Sequence, residues 1–331
     1  MSGIKIIATG QYLPKNIVCN DDFTAIVDTS DEWIVKRTGM KQRHISAGEP
    51  TWVMGAFAAA DALKSADIDP LSIDLILVTT VTADYVTPSA ACLIQAELGA
   101  WNAACMDINA ACSGFVYALD MARRYLAFDD MKRVLVVSSE TLSNITDYTD
   151  RASCVLFGDA AGACVVEAGD GFFVSELGAD GRGAHLIYCK AQYNANNPFV
   201  KPELKPEYEE RITPTTDYMY MNGKEVYKFA IKTMPEALLA ACKKAGITID
   251  ELDFVIPHQA NLRIVETAVK ELNIPKEKLY VNLEKHGNVS SACIPICLNE
   301  LNRSGRLLHG QSVALVGFGA GLTHAACVFK W

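Results

Sequence analysis

An internal repeat is the feature that most constrains how this chain can fold, because it requires two parts of the sequence to adopt related structures. In the first part an apolar helix over 50–66 leads into a buried strand over 75–79. In the second part a helix over 229–245 leads into a strand over 254–258. The parts match at Ala66/Ala245, Ile68/Ile247, Ile73/Leu252, Asp74/Asp253 and Thr79/His258. So many aligned positions favour one duplicated α/β unit over chance similarity.

The repeat continues beyond these strands, at an offset of about 160 to 180 residues. In each part a further helix is followed by a strand and by a turn of small residues that enters another helix. That turn carries Cys112 in the first part and residues 288–292 in the second. Each part is then predicted to close on a glycine-rich hairpin, over 157–166 and over 317–328.

The cysteines and the charge narrow the class of protein. The 331 residues include eleven cysteines, an odd number with no CxxC pair. This pattern indicates reduced thiols in a cytosol, and neither a disulfide framework nor a zinc site. The net charge of −9 argues against broad binding of nucleic acid. Because no segment resembles a signal peptide or a membrane span, we expect a cytoplasmic protein.

Cys112 lies where a predicted strand over 105–108 turns into a helix that begins near Ser113. The N–H groups and the positive dipole end of a helix favour a thiolate over a thiol. Small residues on both sides, Ala110 to Gly114, leave room for a substrate to approach the sulfur. The alternative is a buried cysteine that acts as a small hydrophobic residue, which is the commoner role.

Duplication would place equivalent strand ends face to face, and Cys112, His258 and Asn288 all occupy such positions. Taken singly, His258 could be a structural hydrogen-bonding group and Asn288 a turn or helix-capping residue. Together they offer a nucleophile and two neutral hydrogen-bond donors. One hypothesis is a protease-like triad. The other is that Cys112 carries an acyl group while His258 and Asn288 stabilise a thioester enolate.

Three segments carry a family resemblance: 109–115, 257–263 and 287–292 closely resemble the active-site blocks of β-ketoacyl-ACP synthase III, a family of thiolase-fold condensing enzymes. Residues 30–39 and 156–163 extend the resemblance, which runs nearly from end to end. The set of Cys, His and Asn is specific, because thiolases use a second cysteine and elongating synthases use two histidines.

The resemblance implies an α/β, thiolase-like fold with duplicated halves in a five-layered α-β-α-β-α arrangement. We expect an N-terminal half over 1–175 and a C-terminal half over 223–331. Between them, 176–222 is expected to form a connecting excursion or lid, since 182–222 is rich in Tyr, Asn and Pro.

The resemblance also implies a reaction that needs neither metal nor cofactor. Cys112 would accept an acyl group from an acyl-CoA primer, and malonyl-ACP would then bind and lose carbon dioxide. His258 and Asn288 would stabilise the resulting enolate, which attacks the acyl group to give 3-oxoacyl-ACP. The backbone N–H groups of Cys112 and Ala320 would form a second oxyanion hole, with Ala320 in place of a family glycine.

The remaining site residues follow from the resemblance as well. Trp33, Arg37 and Arg151 would hold the adenine and phosphate of CoA, and Asn261 would lie along the pantetheine arm. The acidic acyl carrier protein would dock on the basic residues Arg263, Lys270 and Lys228.

Arg263 and Lys270 are seven residues apart and so share a helix face. Thr87 would reach the acyl pocket of a partner subunit in a homodimer. Members specific for short primers can carry Phe there, so the smaller Thr87 is expected to admit longer primers.

These inferences predict an acyltransferase that initiates fatty acid biosynthesis. One alternative is a related acyltransferase or specialised-metabolite ketosynthase with the same triad but a different acceptor. The other is a non-enzymatic partner subunit, which Cys112 argues against because such proteins usually lose the nucleophile.

Overall fold

The computed structural model describes residues 3–128, 130–191 and 216–331. The helices are α1 Asp31–Thr38, α2 Thr51–Ser65, α3 Ala90–Leu98, α4 Gly114–Tyr125, α5 Gly223–Ala245, α6 Leu262–Glu271, α7 Leu283–His286 and α8 Cys293–Arg303. The strands are β1 Gly3–Tyr12, β2 Asn16–Cys19, β3 Gln42–Ile45, β4 Leu75–Thr79, β5 Ala104–Ile108, β6 Arg133–Thr141, β7 Asp159–Gly169, β8 Phe173–Ala179, β9 Ile187–Tyr188, β10 Tyr220–Met221, β11 Phe254–Pro257, β12 Ser312–Gly319 and β13 Thr323–Lys330. Within the described ranges, no helix is both long enough and apolar enough to cross a membrane.

Two larger sheets repeat the same pattern of strand directions. The first has the order β1-β7-β6-β4-β5 and the second the order β11-β12-β13-β8. In the first, β4 is parallel to β6, and β7 runs antiparallel to both β6 and β1. In the second, β11 is parallel to β12, and β13 runs antiparallel to both β12 and β8. The counterpart of β5 is reduced to one parallel bridge between Val255 and Leu279.

Five layers follow from how the helices cover these sheets. Helices α4 and α8 lie between the sheets, where Phe115 and Ile294 pack in one core with Leu77 of the first sheet and Leu315 of the second. Helices α2 and α3 cover the outer face of the first sheet. Helices α5 and α6 cover the outer face of the second. The predicted five-layered α-β-α-β-α arrangement of two α/β halves is therefore confirmed.

Two local predictions are wrong. Helix α5 begins at Gly223 and not at Phe229, because the side chain of Asn222 accepts a hydrogen bond from the Glu225 N–H and caps the helix earlier. The first part of the repeat does not close on a glycine-rich hairpin over 157–166. Strand β6 ends at Thr141 and the chain leaves the sheet before β7 begins, so residues 142–158 connect the two antiparallel strands.

The segment between the halves is described only in part. Strand β8 belongs to the second sheet, which therefore includes residues on both sides of the predicted boundary at 175. Strands β9 and β10 pair with each other. The rest of the predicted excursion, 192–215, lies outside the described residues. The division at residues 175 and 222 stays a prediction.

Candidate active site

Cys112 lies in a tight turn, Ala111–Ser113, between β5 and α4. Ala111 has a φ of 47°, a left-handed conformation that is strained for a residue with a side chain. Two hydroxyl groups hold the turn, because Ser113 Oγ donates to the Ala110 carbonyl at 2.7 Å and Thr323 Oγ1 donates to the same carbonyl at 3.0 Å. The helix begins at Gly114, as predicted, and the turn presents Cys112 to a cavity of about 1250 Å³.

The thiol of Cys112 is partly exposed and donates to Ser290 Oγ at 3.5 Å. The pKa of Cys112 is raised to about 12, chiefly by burial; the hydrogen bond to Ser290 lowers it and the negative charge of Glu140 raises it. The thiolate expected from the helix terminus is therefore not the resting state of this site. The free energy that a thiolate loses by desolvation exceeds the free energy that it gains from the helix dipole, so the thiol is favoured.

His258 immediately follows β11, and its N–H donates to the Val316 carbonyl at 2.8 Å. The side chain is buried and its ring meets the ring of Phe318 edge-on, with centroids 5.5 Å apart. Burial lowers the pKa of His258 to about 3. The imidazole is therefore neutral near pH 7 and donates from one nitrogen only. Within the described part of the chain, Nδ1 is buried without a hydrogen-bond partner.

Asn288 is held from both its backbone and its side chain. Its N–H donates to the Leu156 carbonyl at 2.9 Å, and its own carbonyl accepts from the Gly158 N–H at 3.0 Å. The side-chain oxygen Oδ1 accepts from the Ser290 N–H at 2.9 Å. This network assigns the amide orientation and leaves the NH₂ group as the side that can donate to a ligand.

The hairpin between β12 and β13 approaches Cys112 closely. A Cβ atom on Gly319 would lie 2.6 Å from the backbone nitrogen of Cys112, so only glycine permits this approach. Ala320 follows and lines the same cavity. The hydroxyl of Thr323 lies within hydrogen-bond distance of the Ala110 and Ala320 carbonyls, at 3.0 and 3.1 Å, and so connects the hairpin to the turn that carries Cys112.

An aromatic and cationic cluster forms part of the cavity wall. The guanidinium groups of Arg37 and Arg151 lie 4.5 and 4.6 Å from the ring centroid of Trp33. Arg151 also donates to the Asp28 carbonyl at 2.8 Å. Asn261 donates to the Arg37 carbonyl at 3.0 Å and caps helix α6 by accepting from a backbone N–H. The cluster gives the cavity a flat ring and two positive charges, which suit a nucleotide base and phosphate.

The cavity brings most of the predicted site residues together. Its lining includes Cys112, His258, Asn288, Ala320, Trp33, Arg37, Arg151, Asn261, Arg263 and Lys228. Lys270 is exposed on α6 and Thr87 is exposed on the loop before α3, and neither is among the lining residues. Within the described ranges, no group of three or more His, Cys, Asp or Glu side chains could hold a metal ion.

Two residues of the site were given no role in the sequence analysis. Ser290 lay inside a motif, and only the fold shows that its hydroxyl meets the Cys112 thiol. Glu140 carried no sequence signal, because a carboxyl at the end of a strand is ordinarily solvated. The structure buries it completely beside Ser291.

The fold and the cavity together define a thiolase-fold enzyme whose candidate site contains one cysteine, one histidine and one asparagine. Residues 106–181 match the family model described as 3-oxoacyl-(acyl-carrier-protein) synthase III, and residues 242–331 match the model for its C terminus. The β-ketoacyl-(acyl-carrier-protein) synthase III of Clostridium acetobutylicum is 45% identical over 333 residues, covering 100% of this chain and 99% of that protein.

Solved structures support the same family assignment. The 3-oxoacyl-(acyl-carrier-protein) synthase III of Aquifex aeolicus VF5 has a TM-score of 0.90 at 40% identity, covering 99% of this chain and 100% of that one. The Thermus thermophilus enzyme has a TM-score of 0.90 at 41% identity, covering 98% of both chains. The chain therefore belongs to the β-ketoacyl-ACP synthase III family and is an acyl-transferring condensing enzyme.

Proposed function

We propose that this enzyme loads an acyl group from acyl-CoA onto Cys112 and condenses it with malonyl-ACP, giving 3-oxoacyl-ACP, CoA and carbon dioxide in the first step of fatty acid synthesis. One observation carries the proposal. A single cavity is lined by Trp33, Arg37 and Arg151, which suit a nucleotide. The same cavity is lined by Cys112, His258 and Asn288.

In the first half-reaction, the Cys112 thiolate attacks the thioester carbon and CoA leaves. The backbone N–H groups of Cys112 and Ala320 hold the oxyanion of the tetrahedral intermediate. Gly319 supports this assignment, because it lets the hairpin that carries Ala320 pack against the nucleophile. Because the pKa of Cys112 is raised to about 12, chiefly by burial, the thiolate is a minor species at neutral pH.

In the second half-reaction, His258 and Asn288 donate hydrogen bonds to the thioester oxygen of malonyl-ACP. These bonds strengthen as the carboxylate leaves as carbon dioxide and negative charge develops on that oxygen. Burial keeps the pKa of His258 low, so the donor is a neutral imidazole that is ready without prior protonation. The enolate carbon then attacks the acyl group on Cys112, the C–S bond breaks, and the released thiolate takes up a proton to restore the thiol.

The binding roles belong to the same proposal. Trp33, Arg37 and Arg151 bind the nucleotide of CoA, and Asn261 contacts the pantetheine arm. Arg263 and Lys228 lie at the cavity, and Lys270 lies on the same helix as Arg263, so an acidic carrier protein would meet positive charge beside the entrance.

A cytoplasmic homodimer completes the proposal. Strand β5 lies at the edge of the first sheet, where it could pair with the same strand of a second copy. Tyr85, Val86 and Trp101 are 55%, 81% and 65% exposed in the single chain, which leaves an apolar surface for such a contact. Thr87 lies in the loop that carries Tyr85 and Val86, and in such a dimer it would enter the partner's acyl pocket.

Intact-protein mass spectrometry tests the function. The enzyme is incubated with acetyl-CoA or longer acyl-CoAs, and the acyl adduct is mapped to a cysteine before malonyl-ACP is added. We expect an adduct on Cys112 that disappears as 3-oxoacyl-ACP forms, with Cys112→Ala as the unreactive control. An adduct that persists with malonyl-ACP would contradict the proposed acceptor and favour a different acyl acceptor.

A further inference from the structure

Glu140, at the end of β6, is fully buried, and its carboxylate meets hydrogen-bond donors on both oxygens. Oε1 accepts from Ser291 Oγ at 2.7 Å. Oε2 accepts from the Val81 N–H at 2.9 Å and from the Thr82 hydroxyl at 3.0 Å, with the Thr80 hydroxyl at 3.3 Å. Burial raises the pKa of Glu140 and these hydrogen bonds oppose the rise. An ionised carboxylate only accepts, so a shell made of donors fits the anion.

The Ser291 hydroxyl connects this carboxylate to the site. Ser290, the preceding residue, has a φ of 51°, and such a conformation persists only where the surroundings hold it. Ser290 makes two contacts that matter for the chemistry. Its hydroxyl accepts from the Cys112 thiol at 3.5 Å, and its N–H holds Asn288 Oδ1 at 2.9 Å. The bond from Ser291 to Glu140 therefore anchors a strained residue that orients both.

We propose that Glu140 is a positioning residue of the condensing reaction: by holding Ser291, it keeps Ser290 and Asn288 in the geometry that directs the Asn288 amide toward the thioester oxygen. This inference rests on the proposed function. Glu140 acts through Ser291 and Ser290 and touches no substrate, because it is buried and is not among the residues that line the cavity.

Glu140→Gln is the first test, because glutamine keeps the shape but turns an NH₂ group toward a donor. A hydrogen bond to a charged group is strong enough that its loss gives about a tenfold effect or more. We expect kcat for malonyl-ACP decarboxylation to fall about tenfold or more, while KM for malonyl-ACP stays unchanged. Loss of binding would instead raise KM.

The reactivity of Cys112 is a second readout that loosened packing would not reproduce. The negative charge of Glu140 raises the pKa of the Cys112 thiol, so Glu140→Gln should speed alkylation even as decarboxylation slows. The rate with anionic iodoacetate should rise more than the rate with neutral iodoacetamide, because the substitution removes a repelling charge. The two reagents are nearly the same size, so a site that merely opened would speed both to a similar extent.

Ser291→Ala keeps the test decisive if Glu140→Gln folds poorly. It removes the anchoring hydroxyl, leaves the Glu140 charge in place, and should lower kcat for decarboxylation without speeding alkylation. Asp120→Asn is the matched control, because Asp120 is another buried carboxylate, on α4, held by Arg124 at 2.6 Å and Ser175 at 2.7 Å and outside the cavity lining. It should lower the melting temperature and leave both readouts unchanged.

The outcomes separate the two proposals. If the wild-type enzyme decarboxylates malonyl-ACP and both Glu140→Gln and Ser291→Ala keep the wild-type kcat, the positioning role is overturned and the proposed function stands. If Asp120→Asn lowers kcat as much as Glu140→Gln at equal loss of stability, the positioning role is also overturned. If the wild-type enzyme does not decarboxylate malonyl-ACP, the proposed function itself fails.

Discussion

The turn Ala111–Ser113 in the first half and the turn Ser290–Ala292 in the second have nearly the same backbone. Their first residues have φ values of 47° and 51°, and each turn leads directly into a central helix, α4 or α8. Their middle residues differ in access. Cys112 is partly exposed at the cavity, whereas Ser291 is fully buried and donates to Glu140. The same backbone conformation thus presents a thiol to the cavity in one half and holds a buried hydroxyl against Glu140 in the other.

The strand ends that face these turns differ in the opposite sense. Thr79, at the end of β4, lies 2.6 Å from Ser138 Oγ and 3.1 Å from Ser291 Oγ through its hydroxyl. His258, at the equivalent strand end, has a buried Nδ1 with no partner among the described residues. A satisfied polar network stabilises a fold, whereas a buried polar atom without a partner suggests a functional role. At each pair of equivalent positions, therefore, one residue stabilises the fold and the other is available for chemistry.

The connections after the matching strands differ as well. Seventeen residues, 142–158, join β6 to β7, whereas only 320–322 join β12 to β13. The long connection carries Arg151 to the Trp33 ring, and the short one brings Ala320 beside Cys112. Under the proposed function, the longer connection contributes to substrate binding and the shorter one contributes the backbone donor.

Exchanging the nucleophile between the two turns should have the largest effect. Cys112→Ala should abolish acylation, because the carrier of the acyl group is gone. A double variant, Cys112→Ala with Ser291→Cys, restores a thiol at the equivalent turn but in a fully buried position. We expect no acyl adduct on residue 291 by mass spectrometry after incubation with acyl-CoA. An adduct there would show that access does not distinguish the two turns.

Removing the hydrogen-bond donors should have the next largest effect. His258→Ala and Asn288→Ala should each slow malonyl-ACP decarboxylation about a hundred- to a thousand-fold, as expected for the loss of an oxyanion donor. Acylation of Cys112, followed by mass spectrometry, should survive in both variants.

Thr79→Val is the matched control for His258→Ala, because it changes the equivalent strand end. It should change decarboxylation only a few-fold and lower the free energy of unfolding by about 1 kcal/mol. Equal losses of activity at Thr79 and His258 would contradict the division between a structural and a chemical strand end.

Acid should destabilise the protein through His258. The equivalent strand-end residue, Thr79, does not titrate and so makes no such contribution. The folded state holds the pKa of His258 at about 3, below its ordinary value of 6.5. Unfolding therefore takes up a proton between these values, and the stability present near pH 7 is lost as the pH falls. At about pH 5 this term removes about 2 kcal/mol of the free energy of unfolding.

Urea unfolding at the two pH values checks the sign. A His258→Asn variant lacks this titration, so its stability should fall less than that of the wild type between neutral pH and about pH 5. A larger fall in the free energy of unfolding of the variant would show that another group causes the acid sensitivity.

Local patterns predicted much of this fold. The helix expected over 50–66 is found at Thr51–Ser65 and the strand expected over 75–79 at Leu75–Thr79, because the spacing of apolar residues is a property of the segment itself. The start of α5 was missed because a single cap at Asn222 decided it. The meeting of Cys112, His258 and Asn288 at one cavity was predictable because the repeat relates their positions.

The electrostatics of the site were not predictable from local sequence. The partners of Glu140 come from Val81 and Ser291, far away along the chain on either side. The raised pKa of Cys112 likewise depends on burial beneath distant segments, while its sequence neighbours indicate only the helix terminus. Burial is a property of the assembled layers, so a protonation state inferred from one segment alone can be wrong.

Relaxing the two strained residues should have the smallest effect on stability and should show which half-reaction each turn serves. Glycine adopts the left-handed conformation without the penalty borne by Ala111 and Ser290, but it also increases the entropy of the unfolded chain. The two effects oppose each other, so Ala111→Gly and Ser290→Gly should each change the free energy of unfolding by less than about 1 kcal/mol in denaturant titrations.

Activity should separate the two glycine variants where stability does not. Ala111→Gly loosens the turn of the nucleophile and should slow acylation of Cys112 several-fold, with decarboxylation little changed. Ser290→Gly loosens the turn that orients Asn288 and should slow decarboxylation more than acylation. Ser290→Ala, which loses the hydroxyl but keeps the Cβ atom, isolates the contribution of the hydrogen bond to Cys112. If Ala111→Gly slowed decarboxylation instead, the two turns would not act independently.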